Sequence, residues 1–148
     1  MKPNIKDLRV NDDMSFIRVF KDNIRRPLFV LEYNPADKLL ASYIKKMRDG
    51  LTAIEEQYKN GEIDQLEYAG SMGEVYEENL DAIFGKGSAR MISRYDTSDN
   101  DQLINDIMDE LKTGLDAYYK DMDAKAKEKM TQAVIDARKE GSSYIAPQ

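Results

Sequence analysis

The sequence contains no cysteine and no histidine among its 148 residues. Without thiols and imidazoles the chain cannot form disulfides, the common zinc sites, or a mechanism based on a thiolate or an imidazole base. Paired carboxylates, a lysine or a carboxylate-bound magnesium ion would remain as catalytic groups, and each needs a convergent pocket that a sequence cannot show. We therefore expect a protein that is not an enzyme and that uses no cofactor and no metal.

Long apolar runs are also missing. No segment approaches the roughly 18 apolar residues of a membrane span, and the N-terminal segment MKPNIKDLRVNDDM lacks the apolar centre of a signal peptide. The length and the 41% apolar content suit one globular domain. These features predict a cytoplasmic protein with no membrane partner.

Positive charge is scarce in the middle of the chain. The net charge is −6, and residues 34–84 hold eleven acidic but only five basic side chains. Because a nucleic-acid-binding domain would show a basic face, we expect no nucleic acid partner. The acidic stretch has two interpretations, a solvated helix face or an electrostatic docking surface.

The N-terminal part of the chain has the pattern of a β-hairpin. Residues 1–14 are polar and predict a flexible arm. The segments SFIRVFK (15–21) and PLFVLEY (27–33) are rich in β-branched and aromatic residues, which favours two antiparallel strands. Two strands alone are marginal in water, so one side of this ribbon must pack on helices.

Two helices are predicted next. Asn34-Pro35 predicts a helix start, since asparagine caps helices and proline suits the first position. Asn60-Gly61 predicts its end. The apolar stripe expected between them consists of Leu39, Leu40, Tyr43, Ile44, Met47, Leu51, Ile54 and Tyr58.

The second helix is expected over about 63–84. Its core side is predicted to contain Ile63, Leu66, Met72, Val75, Tyr76, Leu80 and Ile83. Gly70 and Gly73 either weaken this helix or mark the close approach of another one.

A corner is predicted at Gly85-Lys86-Gly87. Gly85 should end the second helix with a positive φ, Phe84 should anchor the core, and Ser88 should cap a short third helix. The Gly-Lys-Gly-Ser sequence lacks the spacing and the preceding strand of a phosphate-binding loop, so a hinge is the better interpretation.

The last helix is expected from about Asp99 to Lys139, capped by Ser98 with Asp101 and interrupted or kinked at Gly114. Asp96, Ser98 and Asn100 resemble the opening of a calcium loop, but the glycine and the bidentate glutamate of that loop are missing. Cap residues are therefore the better interpretation. The domain is predicted to span 15–122, followed by a helical extension and a frayed end at 123–148.

The second half of the last helix is the candidate binding segment. Its apolar stripe is too thin for deep burial, while methionine suits surfaces that repack around a partner. Such a segment can lay a weak apolar face on another helix. The candidate protein-binding residues are Tyr118, Tyr119, Met122, Met130 and Val134.

The stretch around the corner resembles tail assembly chaperones from long-tailed phages of Gram-positive bacteria. The matching residues are Leu80, Asp81, Phe84, Gly85 and Gly87, followed by Asp101, Leu103 and Leu111. The resemblance spans roughly residues 15–120. The strand and helix patterns of this chain predict a mainly α fold: an N-terminal β-hairpin, a helical hairpin, a short helix and a long C-terminal helix. The polar start and the extended helical end of this chain depart from the family.

The resemblance also implies a function. Such chaperones bind the tape measure protein, keep it soluble and help recruit tail tube subunits during morphogenesis, and they are not expected in the mature virion. The expected partners are therefore the tape measure protein and the tail tube protein, with a homo-oligomer formed through the same helix face as the competing outcome. Another non-enzymatic phage structural or regulatory helical adaptor is the alternative function.

Overall fold

A computed structural model describes residues 14–22, 24–96 and 101–139 of the chain. These residues form two strands, β1 (Ser15–Phe20) and β2 (Pro27–Tyr33), followed by four helices. The helices are α1 (Leu40–Lys59), α2 (Gln65–Phe84), α3 (Ser88–Tyr95) and α4 (Gln102–Lys139). The mainly helical fold with an N-terminal β-hairpin is confirmed. The predicted arm, apart from Met14, and the predicted frayed end after Lys139 lie outside the described residues.

The chain divides into two compact units, the first ending at Glu110 and the second beginning at Leu111. This division falls inside α4, whereas the boundary predicted from the sequence lies further along the same helix, after Met122. Gly114 does not interrupt α4, which runs without a break from Gln102 to Lys139.

The two strands pair antiparallel, and their alternation decides which residues enter the core. Ile17 lies opposite Leu31 and Val19 opposite Phe29 in the pairing register. Ile17, Phe29 and Leu31 are buried, whereas Phe16 on the other side of the ribbon is exposed. This is the one-sided burial that a half-covered antiparallel sheet requires.

The first helix starts later than predicted. Asn34 accepts a hydrogen bond from the N–H of Ala36 through its side chain (3.0 Å), and Asp37 accepts one from the N–H of Leu39 (2.9 Å). These side chains hold the backbone in turns that compete with a helix, so α1 begins only at Leu40. Leu39 consequently lies outside the apolar stripe and is 58% exposed, and the predicted stripe was wrong at this position.

The first two helices pack closely where α1 has a glycine. A methyl group at Gly50 would lie 3.2 and 3.3 Å from the two Cγ atoms of Val75 on α2. Gly50 therefore permits the close approach of two helices, a role that the sequence analysis did not assign to it. α1 ends at Lys59, with Asn60 and Gly61 following as predicted.

The second helix begins with a side-chain cap. The carboxylate of Asp64 accepts a hydrogen bond from the N–H of Glu67 at 2.8 Å, so α2 starts at Gln65. Leu80 and Ile83 are buried as predicted, but Leu66 is 83% exposed, and its assignment to the core was wrong. At the start of α2 no described element covers the side of the helix on which Leu66 lies.

The corner after α2 combines a core aromatic ring with two glycines. Phe84 is buried and meets the ring of Tyr33 edge-on, with centroids 6.3 Å apart. Gly85 and Gly87 have φ values of +109° and +89°, which L side chains rarely adopt. The positive φ predicted for Gly85 and the burial predicted for Phe84 are confirmed.

The cap of α3 differs from the prediction. Gly87 occupies the N-cap position and Ser88 is the first helical residue, so Ser88 is not the cap. The carboxylate of Asp81, one turn before the end of α2, instead accepts a hydrogen bond from the N–H of Ala89 at 2.9 Å. A side chain of the preceding helix thus satisfies an amide at the start of the next one.

Candidate functional site

The candidate binding residues lie on the part of α4 that has little burial. Along α4 the buried side chains are Ile104, Ile107, Leu111 and Leu115, and Tyr118 is partly exposed. Every residue from Tyr119 to Lys139 is exposed. This exposed segment, 119–139, is called the distal helix below.

Four of the five candidate residues belong to the distal helix, and the fifth, Tyr118, immediately precedes it. Exposure is 47% for Tyr119, 48% for Met122, 71% for Met130 and 51% for Val134. At 100° per residue these side chains fall within a broad sector of the helix surface, and from Tyr118 to Val134 they extend over about 24 Å. They form a linear strip and not a pocket.

One exposed apolar residue of the distal helix escaped the sequence analysis. Ile135 is 40% exposed, and helical geometry places it on the side opposite to Met122. The other positions were identified because they follow one another at spacings of three and four residues along one face of the helix. Ile135 does not share that face, so the pattern did not include it.

The polar surface of the distal helix carries two local interactions between described residues. Lys125 and Asp121 form an ion pair at 3.0 Å, and Gln132 donates to Asp136 at 2.9 Å. Both pairs join residues four apart on an exposed helix surface. Such pairs stabilise a helix by about 0.3–0.5 kcal/mol each. They stabilise the helix without covering its apolar strip.

A second feature lies in the first unit, where α2, α3 and the start of α4 meet. The hydroxyl of Tyr76 donates a hydrogen bond to the carboxylate of Asp101 at 3.0 Å. Burial of the phenol, together with the nearby charge of Asp101 and this hydrogen bond, raises the pKa of Tyr76 above its ordinary value of 10.0. Tyr76 is therefore a neutral donor that ties α2 to the beginning of α4.

Asp96 makes a related connection. Its carboxylate accepts a hydrogen bond from the N–H of Ile104 in the first turn of α4, at 3.2 Å. A carboxylate in this position satisfies a free amide and opposes the positive end of the helix dipole. The cap interpretation of Asp96 is thus supported, although Ser98 and Asn100, which shared the calcium hypothesis, lie outside the described residues.

These connections line an open groove of about 630 Å³. On the α2 side its wall includes the small residues Ala69, Gly70 and Gly73, together with Tyr68, Met72, Glu74, Tyr76, Glu77 and Leu80. The other side is contributed by Ala89 and Arg90 of α3 and by Asp96, Asp101 and Ile104. We call this feature the α2 groove. Sequence reasoning identified its glycines but did not place them in a groove.

Within 14–22, 24–96 and 101–139 no group of three or more acidic side chains is placed to hold a metal ion. No helix in these ranges is both long and apolar enough to cross a membrane.

Comparisons of the chain with protein-family models, with curated proteins and with solved structures find no match.

Proposed function

We propose that this protein is a phage tail assembly chaperone that binds the tape measure protein through the distal helix. The observation that supports the proposal most directly is the exposure of Tyr119, Met122, Met130 and Val134 on a helix with no covering element among the described residues. Apolar side chains grouped on one sector of an exposed helix mark an interaction surface. The resemblance around Phe84-Gly85 supplies the identity of the partner.

The distal helix suits a long helical client. An amphipathic helix can lay its apolar strip along a second helix and remove both from water. The strip is narrow, so a single copy would bind weakly, but many copies along one extended client would bind with much higher avidity. In this way the chaperone keeps the tape measure protein soluble until tail tube subunits replace it.

Co-expression with the tape measure protein of the same phage tests the proposal. We compare the full chain with a chain truncated after Asp121 and measure how much tape measure protein remains soluble. The truncated chain should lose this activity, because it lacks Met122, Met130 and Val134. If the truncated chain stays folded and solubilises the client as well as the full chain does, the distal helix is not the contact.

Point variants separate the apolar strip from the helix as a whole. Met122→Gln with Met130→Gln removes apolar surface from the strip, and both residues are exposed enough for the change to leave the fold intact. Ile135→Gln is the matched control, because it makes the same kind of change on the opposite side of the helix. Equal loss of solubilisation in the control and in the strip variant would contradict binding through this strip.

A further inference from the structure

The wall of the α2 groove is open around Gly70 and Gly73, and both residues are exposed. Methyl groups added at Gly70 and at Gly73 would meet no atom of the described residues within 4 Å, apart from the backbone of their own helix. The internal packing of the protein therefore does not require glycine at either position, although glycine lowers the stability of a helix relative to alanine. Leu66, on the same side of α2, is largely exposed. This wall allows the backbone of an incoming helix to approach closely.

The charge around the groove indicates what can occupy it. α2 contains five acidic residues and no basic residue, and two of these acids, Glu74 and Glu77, line the groove. Asp96 and Asp101 line it from the other side. Arg90 is the basic residue among the described residues that line the groove. A ligand with positive charge beside an apolar face complements this arrangement, whereas an acidic ligand would be repelled.

We propose that the α2 groove binds a basic amphipathic helix of a partner protein. The apolar side of that helix packs against Gly70 and Gly73, and its lysine or arginine side chains reach Glu74 and Glu77. This inference goes beyond the function proposed above, because the residues that line the groove belong to the first unit and none of them belongs to the distal helix. It specifies the charge of a helical partner, which the strip on α4 does not.

The probe is a fluorescently labelled synthetic helix of about 18 residues, long enough for about 27 Å, with alanine and leucine on one side and lysine on the other. Its binding to the full chain is measured by fluorescence anisotropy at several salt concentrations. We expect saturable binding by the wild-type chain. A version of the peptide with glutamate in place of lysine should not bind.

Gly73→Leu is the decisive variant, because it fills the groove without changing any charge. A Cβ atom at this position meets no described atom within 4 Å outside the backbone of its own helix, and circular dichroism verifies that the helices persist in the variant. Affinity for the probe should fall by about ten-fold or more. Ala53→Leu on the exposed surface of α1 is the matched control and should leave affinity unchanged.

A second pair of variants tests the charge. Glu74→Gln with Glu77→Gln should weaken binding and reduce its dependence on salt, since two carboxylates no longer attract the lysines. Asp49→Asn with Glu56→Gln removes the same net charge from an exposed surface of α1. This control should change the affinity much less, because its carboxylates do not line the groove.

Three results would overturn the proposal: no binding of the probe, equal binding by wild-type and Gly73→Leu chains, or equal effects of the two charge variants. Sedimentation of the wild-type chain adds a further check. If Gly73→Leu dissociates an oligomer without affecting the probe, a second copy of this chain occupies the groove and the proposal is wrong. The co-expression result does not decide this question, because loss of solubilisation on truncation concerns the distal helix alone.

Discussion

The three glycines inside α1 and α2 should respond differently to the same substitution. Replacing glycine by alanine in a helix interior stabilises it by about 0.8–1 kcal/mol when the new methyl group meets no obstacle. Gly70 and Gly73 meet that condition, since no atom of the described residues beyond their own helix lies within 4 Å of the added group. The double variant Gly70→Ala, Gly73→Ala should therefore raise the free energy of unfolding by about 1.5–2 kcal/mol.

Gly50 does not meet the condition. Its added methyl group would lie 3.2 Å from one Cγ atom of Val75 and 3.3 Å from the other, so the two helices must move apart slightly or Val75 must shift. Overpacking of this kind costs about 1–3 kcal/mol, which cancels or exceeds the gain in helix propensity. Gly50→Ala should thus be neutral or destabilising.

Urea denaturation followed by circular dichroism at the helix band measures these differences. With a slope of about 2 kcal/mol per molar urea, the double variant should shift the midpoint upward by about 0.8–1 M. The Gly50→Ala midpoint should stay the same or fall. Equal stabilisation at all three glycines would refute the close contact with Val75. Destabilisation of the double variant would refute the open wall of the α2 groove.

Three further predictions concern the core and the corner. Phe84→Ala should lower the free energy of unfolding by about 3–5 kcal/mol, because it removes a buried ring. Phe16→Ala removes an exposed ring and should cost less than about 1 kcal/mol. Similar costs of the two variants in urea denaturation would contradict the burial of Phe84. Asn79 is buried, and its side-chain oxygen has no hydrogen-bond partner among the described residues. Asn79→Leu should therefore leave stability unchanged or raise it by about 1 kcal/mol in the same assay, and a large loss would reveal a partner for that oxygen. Folding raises the pKa of Tyr76, so its contribution to stability is complete below pH 10 and is lost as the pH rises through the higher folded value. Tyr76→Phe should therefore reduce the loss of stability measured above pH 10. An unchanged dependence of stability on pH above 10 would refute this contribution.

The type and order of the secondary structure could be predicted from the sequence because those features depend on neighbouring residues. The alternation in SFIRVF and PLFVLEY identified β1 and β2, and Asn60-Gly61 and Phe84-Gly85 marked the ends of α1 and α2. The start of α1 was misjudged for an equally local reason. The turns made by Asn34 and Asp37 compete with helix formation, and a preference for helix capping does not reveal which conformation prevails.

For the candidate site, the sequence predicted where apolar density becomes too low for deep burial. The exposure of Met122, Met130 and Val134 agrees with that pattern, whereas their binding role remains a prediction. Ile135 lay outside the pattern, because periodicity identifies side chains that share one face and gives no information on an isolated apolar residue elsewhere. The α2 groove was also missed, since its walls come from three helices.

Features that join distant parts of the chain were decided by the tertiary structure alone. The carboxylates of Asp81 and Asp96 each accept a hydrogen bond from a backbone N–H eight residues away. The hydroxyl of Tyr76 donates a hydrogen bond to Asp101, 25 positions along the chain. Leu66 and Leu80 have the same side chain on the same helix, yet only Leu80 is buried. In the same way, Gly50 meets a neighbouring helix and Gly73 meets open space. The physical reason is that burial and close approach depend on where other elements of the fold pack. Local sequence propensity carries no information on those positions.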